Sequence, residues 1–130
     1  MTDYPDTFKK LDLHVHTPES VCYNDGETNS GDIVKAALAA KLHAIAITDH
    51  NSIKGIDKVR EAAKDTDLVI LPGVELTTKH GHFLALFEVD TPVNKLEKFL
   101  DDVGLDIQGR GDAHTTTADE IGRASCRERV

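Results

Sequence analysis

Two histidines separated by one residue end the first apolar segment of the chain, Leu11-Asp12-Leu13-His14-Val15-His16-Thr17. Side chains two residues apart on a strand point to the same face, so this pair is expected to project together from the end of a buried strand. Paired imidazoles fill an apolar core poorly and bind transition-metal ions well. Taken alone, the pair fits two ordinary surface or core histidines equally well.

Further side chains able to bind a metal stand at the ends of other predicted elements. They are Asp25 in a glycine-containing loop, Asp49 and His50 after the second apolar segment, Glu75 after the third, and His82 before the fourth. Imidazole and carboxylate together suit Zn, Mn or Fe, and the sequence does not select among these metals. The number of candidate ligands exceeds what one zinc ion needs, which favours a cluster.

Composition limits the kind of protein. The chain has 130 residues, a net charge of −8 and 39% hydrophobic residues, which fits one globular domain. The acidic balance argues against a basic nucleic-acid surface, although bound cations would still admit a phosphate substrate. No apolar run approaches the ~18 residues of a membrane span, and residues 1–10 lack a signal-peptide pattern. We therefore expect a cytoplasmic protein.

The order of elements indicates an α/β fold with a parallel sheet. Strands are predicted over residues 10–15, 44–48 and 67–74, with a helix capped by Ser30 and another capped by Asn51 or Ser52. This βαβαβ rhythm is typical of right-handed crossovers in a parallel sheet.

The connection after the third strand breaks that rhythm. Residues 76–81 are too few for a helical crossover, so the next strand is expected to run antiparallel and to place His82 near Glu75. A third helix is predicted from Pro92 at a first-turn position to a stop at Gly104. His43 lies at a helix exit, where we expect a structural or surface role.

Five stretches resemble the polymerase-and-histidinol-phosphatase (PHP) domain family. They are Asp12-Leu13-His14-Val15-His16-Thr17, Asn24-Asp25-Gly26, Ile47-Thr48-Asp49-His50-Asn51, Pro72-Gly73-Val74-Glu75 and Gly81-His82-Phe83-Leu84-Ala85-Leu86. Their order and spacing over about residues 10–87 make the match specific. The resemblance implies the N-terminal part of a distorted (β/α)7 barrel that holds two or three divalent metal ions at the C-terminal ends of its strands.

The resemblance also implies ligands and chemistry. The candidate metal ligands, which would also form the catalytic centre, are His14, His16, Asp25, His50, Glu75 and His82. Asp49 is a further candidate ligand, or a partner that orients an imidazole. Family members hydrolyse phosphate esters, including phosphomonoesters and nucleotide ends, whereas some polymerase-linked members have lost activity.

The chain departs from the family at its C-terminal side. A complete barrel needs roughly 200 residues or more, so residues 1–119 are expected to form a partial, truncated PHP domain that lacks the remaining ligands. Residues 120–130 look like the translation of a common sequencing adapter and are expected to be a non-native tail; the alternative is an ordinary basic C-terminus. His114 lies in an irregular segment, which disfavours it as a ligand. A half barrel with unpaired edges is expected to aggregate and to be inactive by itself.

Three functions remain open on the sequence. The leading hypothesis is a metal-dependent phosphoesterase in which a metal-bridged hydroxide attacks a phosphorylated small molecule or a nucleotide end. The alternative is a non-catalytic PHP module of a larger, regulatory or polymerase-associated protein with additional domains. A third possibility is hydrolysis of a non-phosphate substrate such as an amide.

Overall fold

A computed structural model describes residues 8–20, 26–78 and 81–105 of the chain. Asp25 and His114 lie outside these ranges, as does the predicted tail. The elements in chain order are β1 (Leu11–Val15), α1 (Ser30–Ala39), β2 (Ala44–Ile47), α2 (Ile56–Ala63), β3 (Val69–Thr78), β4 (Gly81–Leu86) and α3 (Val93–Asp102). The predicted α/β class and the βαβαβ order are confirmed.

Four strands form one sheet in the order β1-β2-β3-β4. The first three strands are parallel, and β4 runs antiparallel to β3. The antiparallel return after β3, expected from its short connection, is therefore confirmed. Strand β3 is longer than the sequence predicted, because β4 continues its hydrogen-bond ladder beyond Val74 to Thr78.

Strand β3 changes partners near its middle. Residues 69–72 pair with β2, and residues 73–78 pair with β4. Gly73 stands at this change, where an added Cβ would lie 2.7 Å from the carbonyl oxygen of Ala85 and 3.2 Å from that of Ile47. Only a residue without a side chain allows both backbones to approach so closely.

Strand β1 is not buried, contrary to the expectation from its apolar residues. Leu11 and Leu13 are both exposed, because β1 has β2 as its only neighbour among the described strands. Its register against β2 shifts between Asp12 and Val15. Such an irregularity changes the direction in which the following side chains point.

Two predicted helix caps were wrong. Helix α1 is capped by Asn29, whose side chain accepts the N–H of Asp32 while the Asp32 carboxylate accepts the N–H of Asn29. Helix α2 begins only at Ile56, behind Gly55. Asn51 cannot start that helix, because it adopts a left-handed conformation with φ of 49°.

The third helix follows the prediction closely. Pro92 is its N-cap, one position before the first helical residue, and Gly104, with φ of 94°, follows its C-terminal end. Leu96, Phe99 and Leu100 are fully buried, and the Phe99 ring meets that of Phe87 edge to face at 5.2 Å. Of the described helices, none combines the length and hydropathy needed to cross a bilayer.

One hydrophobic core joins the three helices to a single face of the sheet. We call this face, which carries Ile45, Ile47, Ile70, Val74 and Leu76, the covered face; all five residues are at most 6% exposed. Side chains alternate along a strand, so the residues between them point to the opposite side. We call that side the open face.

Candidate metal centre

The shifted end of β1 brings its two histidines to the open face beside Glu75. The Nε2 atoms of His14 and His16 lie 3.0 Å and 3.2 Å from the same carboxylate oxygen, Glu75 Oε2. His14 is exposed, His16 is partly buried and Glu75 is buried. The spacing expected from the sequence therefore places both imidazoles at one carboxylate.

The segment after β2 brings His50 to the same oxygen. His50 forms an isolated parallel bridge with Glu75, and its Nε2 lies 3.5 Å from Glu75 Oε2. Backbone hydrogen bonds lock the two segments together, from Glu75 N–H to the Asp49 carbonyl and from Asn51 N–H to the Glu75 carbonyl, both at 2.9 Å. The Asn51 side chain adds a third bond by accepting the N–H of Thr77 at 3.1 Å.

The hairpin brings the fourth histidine to the other carboxylate oxygen. His82 Nδ1 lies 3.5 Å from Glu75 Oε1 and 3.3 Å from the hydroxyl of Thr77. This placement follows from the register, in which Thr77 faces His82 across the β3–β4 ladder. The turn length and the antiparallel direction that the sequence predicted thus account for the approach of His82 to Glu75.

Glu75 is the centre of this cluster. Two groups of side chains have potential ligand atoms within 4.8 Å of one another, His14 with His16 and Glu75, and His50 with Glu75 and His82. The carboxylate belongs to both groups among the residues that the structure describes. A carboxylate shared between two sets of imidazoles would suit the binding of divalent cations, because its negative charge serves both sets.

Electrostatics at the cluster favour an ionised carboxylate and a neutral imidazole. Burial raises the pKa of Glu75, but the hydrogen bond with His14 and the charges of the imidazoles of His50, His14 and His16 outweigh it, so that the pKa is lower than the ordinary 4.5. Burial lowers the pKa of His16 below the ordinary 6.5, and the neighbouring His50 lowers it further.

These donors fit a divalent cation. Three imidazole Nε2 atoms converge within 3.5 Å of one oxygen, Glu75 Oε2. A carboxylate oxygen has two lone pairs, so it cannot accept a hydrogen bond from all three nitrogens. The neutral form of His16, favoured by its lowered pKa, offers a lone pair rather than a charge. A cation satisfies such a set because it accepts lone pairs from imidazoles and a carboxylate together.

Asp49 is not part of either group, although the sequence made it a candidate ligand. It is fully buried, and its two oxygens accept the backbone N–H of Thr17 at 2.6 Å and the hydroxyl of Thr17 at 2.5 Å. Burial raises the pKa of Asp49 above the ordinary 3.8, although both bonds from Thr17 act to lower it. His16 Nδ1 lies 3.8 Å from Asp49 Oδ1, beyond hydrogen-bond distance, so Asp49 supports the cluster through Thr17 and not by a hydrogen bond to that imidazole.

Asp25, the remaining predicted ligand, lies outside the described residues. Sequence reasoning missed the residues that support the cluster, Thr17, Ser20, Asn51 and Gly55. Their signal was weak, since short polar residues and glycine are common in any loop. His43, expected to be structural, accepts the backbone N–H of Lys10 through its Nδ1 at 2.8 Å, at the start of β2 and away from the cluster.

The fold and the cluster define an α/β protein with a candidate metal centre at the C-terminal ends of parallel strands. A sequence profile of the PHP domain matches residues 12–116. Because this match covers most of the chain, the chain belongs to the PHP domain family. The family inferred from the motifs of the sequence is thereby confirmed.

Individual proteins are similar over parts of their length. A 5′-3′ exoribonuclease of Haemophilus influenzae is 37% identical over 70 residues, which cover 54% of this chain and 24% of that protein. An error-prone DNA polymerase of Symbiobacterium thermophilum is 34% identical over 74 residues, or 57% of this chain and 7% of the polymerase. The chain therefore spans a quarter or less of these two relatives.

A solved structure supports the fold. A candidate metal-dependent phosphoesterase of Bifidobacterium adolescentis superposes with a TM-score of 0.51 at 21% identity, covering 98% of this chain and 52% of that one. The described sheet is curled and corresponds to part of a PHP-type barrel, as the sequence predicted.

Proposed function

We propose that this chain carries part of the active site of a metal-dependent phosphoesterase. The observation that supports the proposal most directly is the convergence of His14, His16 and His50 on one oxygen of Glu75, all within 3.5 Å. We propose His14, His16, His50, Glu75 and His82 as ligands, with Asp25 as a further ligand and Asp49 as a supporting carboxylate. Two or three divalent ions of Mn, Zn or Fe would be their cofactors.

The residues of the chain have separable tasks in this proposal. When bound, divalent cations supply Lewis-acid activation of water and neutralise the charge of a phosphate group. Glu75 contributes an anionic charge, and the hydrogen bond from His14 and the neighbouring imidazoles keep its pKa below the ordinary 4.5 despite its burial. The neutral imidazole of His16 contributes a lone pair without a competing positive charge. The exposed His14 and His82 border the accessible side of the cluster, where a substrate can approach.

The substrate class in the proposal is a phosphorylated small molecule or a nucleotide end. The Haemophilus relative is named as an exoribonuclease and the Bifidobacterium protein as a metal-dependent phosphoesterase, and both names agree with cleavage of a phosphate ester. A cytoplasmic location and further domains in the natural protein stay predictions. The alternative of a non-catalytic module has less support, because the described ligand set holds four imidazoles and a buried carboxylate together.

Hydrolysis of an aryl phosphate tests the proposal. The protein expressed from its native gene, loaded with Mn or Zn, is expected to release the phenol. A variant with His14→Ala and His16→Ala is expected to lose both bound metal and turnover. His43→Ala is the matched control, because it removes an imidazole from the same sheet at a site remote from the cluster.

The outcomes separate the hypotheses. Turnover that is lost in the double variant and kept in the control supports the phosphoesterase. Bound metal without turnover on any phosphate ester would contradict it and favour the non-catalytic module. Cleavage of an aryl amide in place of the phosphate would instead support the amide hydrolase.

A further inference from the structure

The hydroxyl of Ser20 lies between two imidazole-bearing segments of the metal centre. Its Oγ is 3.3 Å from His16 Nδ1, and it accepts the backbone N–H of His50 at 3.3 Å. Ser20 is only 4% exposed. A neutral serine hydroxyl is not among the usual ligands of Zn, Mn or Fe, so its role is expected to differ from that of the imidazoles and the carboxylate.

A short buried turn holds Ser20 in this position. The N–H of Ser20 donates to the carbonyl of Thr17 at 2.9 Å, and Thr17 in turn donates both its backbone N–H and its hydroxyl to Asp49. Gly55 packs against this pair, where an added Cβ would overlap Thr17 Oγ1 and lie 2.7 Å from Asp49 Oδ2. The turn is thus fixed by a buried carboxylate from the neighbouring strand end.

The two nitrogens of His16 face different partners. Nε2 lies 3.2 Å from Glu75 Oε2, at the cluster, and Nδ1 faces Ser20. A neutral imidazole carries one proton, so Nε2 can offer a lone pair to a cation only when the proton is on Nδ1. The proton on Nδ1 then needs an acceptor. The hydrogen-bond partner of Nδ1, the nitrogen that does not bind the cation, therefore decides which tautomer is stable.

Ser20 can accept this proton while it also accepts the His50 N–H, because a hydroxyl oxygen has two lone pairs. The same hydroxyl can donate to Nδ1 when His16 instead holds its proton on Nε2 and points it at Glu75. The hydroxyl of Ser20 can therefore form a hydrogen bond with His16 Nδ1 both with and without a bound cation. Asp49 Oδ1, at 3.8 Å from His16 Nδ1, is too far away for this task.

We propose that Ser20 is a positioning residue of the metal centre. Its hydroxyl holds the proton of His16 on Nδ1 when a cation is bound, and it ties that ring to the backbone of His50. The proposal rests on the proposed function in one respect, namely that a cation binds at the Glu75 cluster.

Zinc affinity of the 130-residue chain tests the role of Ser20. Competition with a chromophoric chelator is expected to show about 10–100-fold weaker binding for Ser20→Ala, the usual loss for a residue that supports a ligand. Ser52→Ala is the matched control, because Ser52 is also buried and its hydroxyl accepts a backbone N–H, from Lys54 at 3.3 Å. This control is expected to bind zinc as the unchanged chain does.

Nitrogen NMR of the histidine rings tests the premise that His16 binds zinc through Nε2. In the zinc-loaded chain, His16 is expected to carry its proton on Nδ1. An Nδ1 proton follows from zinc binding at Nε2 whatever faces Nδ1, so Ser20→Thr, which keeps the hydroxyl, supplies the second test of Ser20. Ser20→Thr is expected to retain the zinc affinity of the unchanged chain, and a folded Ser20→Thr chain with affinity about 10–100-fold weaker would count against the role of the hydroxyl. A proton on Nε2 of His16 in the zinc-loaded chain would overturn the proposal.

The remaining outcomes separate this proposal from the proposed function. Equal zinc affinity in the unchanged chain and in Ser20→Ala would refute the role of Ser20 and leave the phosphoesterase intact. An unchanged chain that binds no zinc would overturn the role of Ser20, and absence of metal from the protein expressed from its native gene would overturn the phosphoesterase as well. A protein that binds zinc through the Nδ1-protonated His16 and yet cleaves no phosphate ester would contradict only the phosphoesterase.

Discussion

The two faces of the sheet differ sharply in the burial of their large apolar side chains although both are built from apolar strands. On the covered face, Ile45, Ile47 and Leu76 are at most 1% exposed. On the open face, Val69 is 38% exposed, and Leu84 and Leu86 are each 41% exposed. The difference arises because all three helices contribute to the core on one side of the sheet.

The covered face contributes to stability, and the open face carries the candidate functional site. The covered face buries the large side chains whose removal from water drives folding. The open face carries the histidine–carboxylate cluster at one end and exposed apolar side chains beyond it. We therefore expect substitutions on the covered face to change the free energy of unfolding, and those on the open face to change metal binding and association.

The largest expected effect is on the covered face. Phe99→Ala removes a fully buried ring that packs against Phe87, and it should lower the free energy of unfolding by about 3–5 kcal/mol. Leu84→Ala on the open face should change it by less than about 1 kcal/mol, because that side chain is already in contact with water. Urea denaturation measures both, and equal losses would contradict the division between the faces.

The next effect concerns the carboxylate at the end of the open face. Glu75→Gln keeps the shape of the side chain but removes the charge shared by both groups of ligands, so zinc affinity should fall at both by about 100-fold, the upper end of the loss seen for residues that support a ligand. His82→Ala should affect only the group that contains His82. Titration calorimetry counts the zinc ions that each variant still binds. An equal loss of zinc in Glu75→Gln and His82→Ala would contradict the expectation that the two groups of ligands bind zinc independently.

A smaller effect is expected on association. Among the described strands, β1 and β4 form the two edges of the sheet, and the exposed leucines of β4 add apolar surface that other molecules can contact. The chain is therefore expected to self-associate, and Leu84→Lys with Leu86→Lys should shift it toward the monomer. Sedimentation velocity checks this. A monomeric unchanged chain at micromolar concentration would contradict the expectation.

The smallest effect is the pH dependence of stability without metal. The folded state lowers the pKa of His16 through burial and through His50, so the unfolded chain takes up a proton more readily near pH 6.5. Stability from His16 is present above pH 6.5 and is lost as the pH falls through the folded pKa. Thermal melts from pH 8 to 5.5 should show this fall, and His16→Asn should flatten it. A melting temperature that rises on acidification in this range would refute the assignment.

Much of the fold was predictable because it depends on local patterns. The apolar segments and their spacing identified four strands and three helices, and the short connection after β3 identified the antiparallel return. Helix starts were harder, because several polar residues compete for each cap. Asn29 rather than Ser30 caps α1, and Asn51 is used instead to join the end of β2 to Thr77.

The sequence by itself determined which residue types stand at the strand ends, since the period of a strand and the lengths of its connections are local properties. It thereby indicated the PHP family and the residues that meet at Glu75. The tertiary structure alone decided that Asp49 turns to Thr17, that Ser20 reaches His16 and that β1 is exposed. These outcomes depend on contacts between segments distant in the chain, where burial and hydrogen bonding select among alternatives that the local sequence leaves equal.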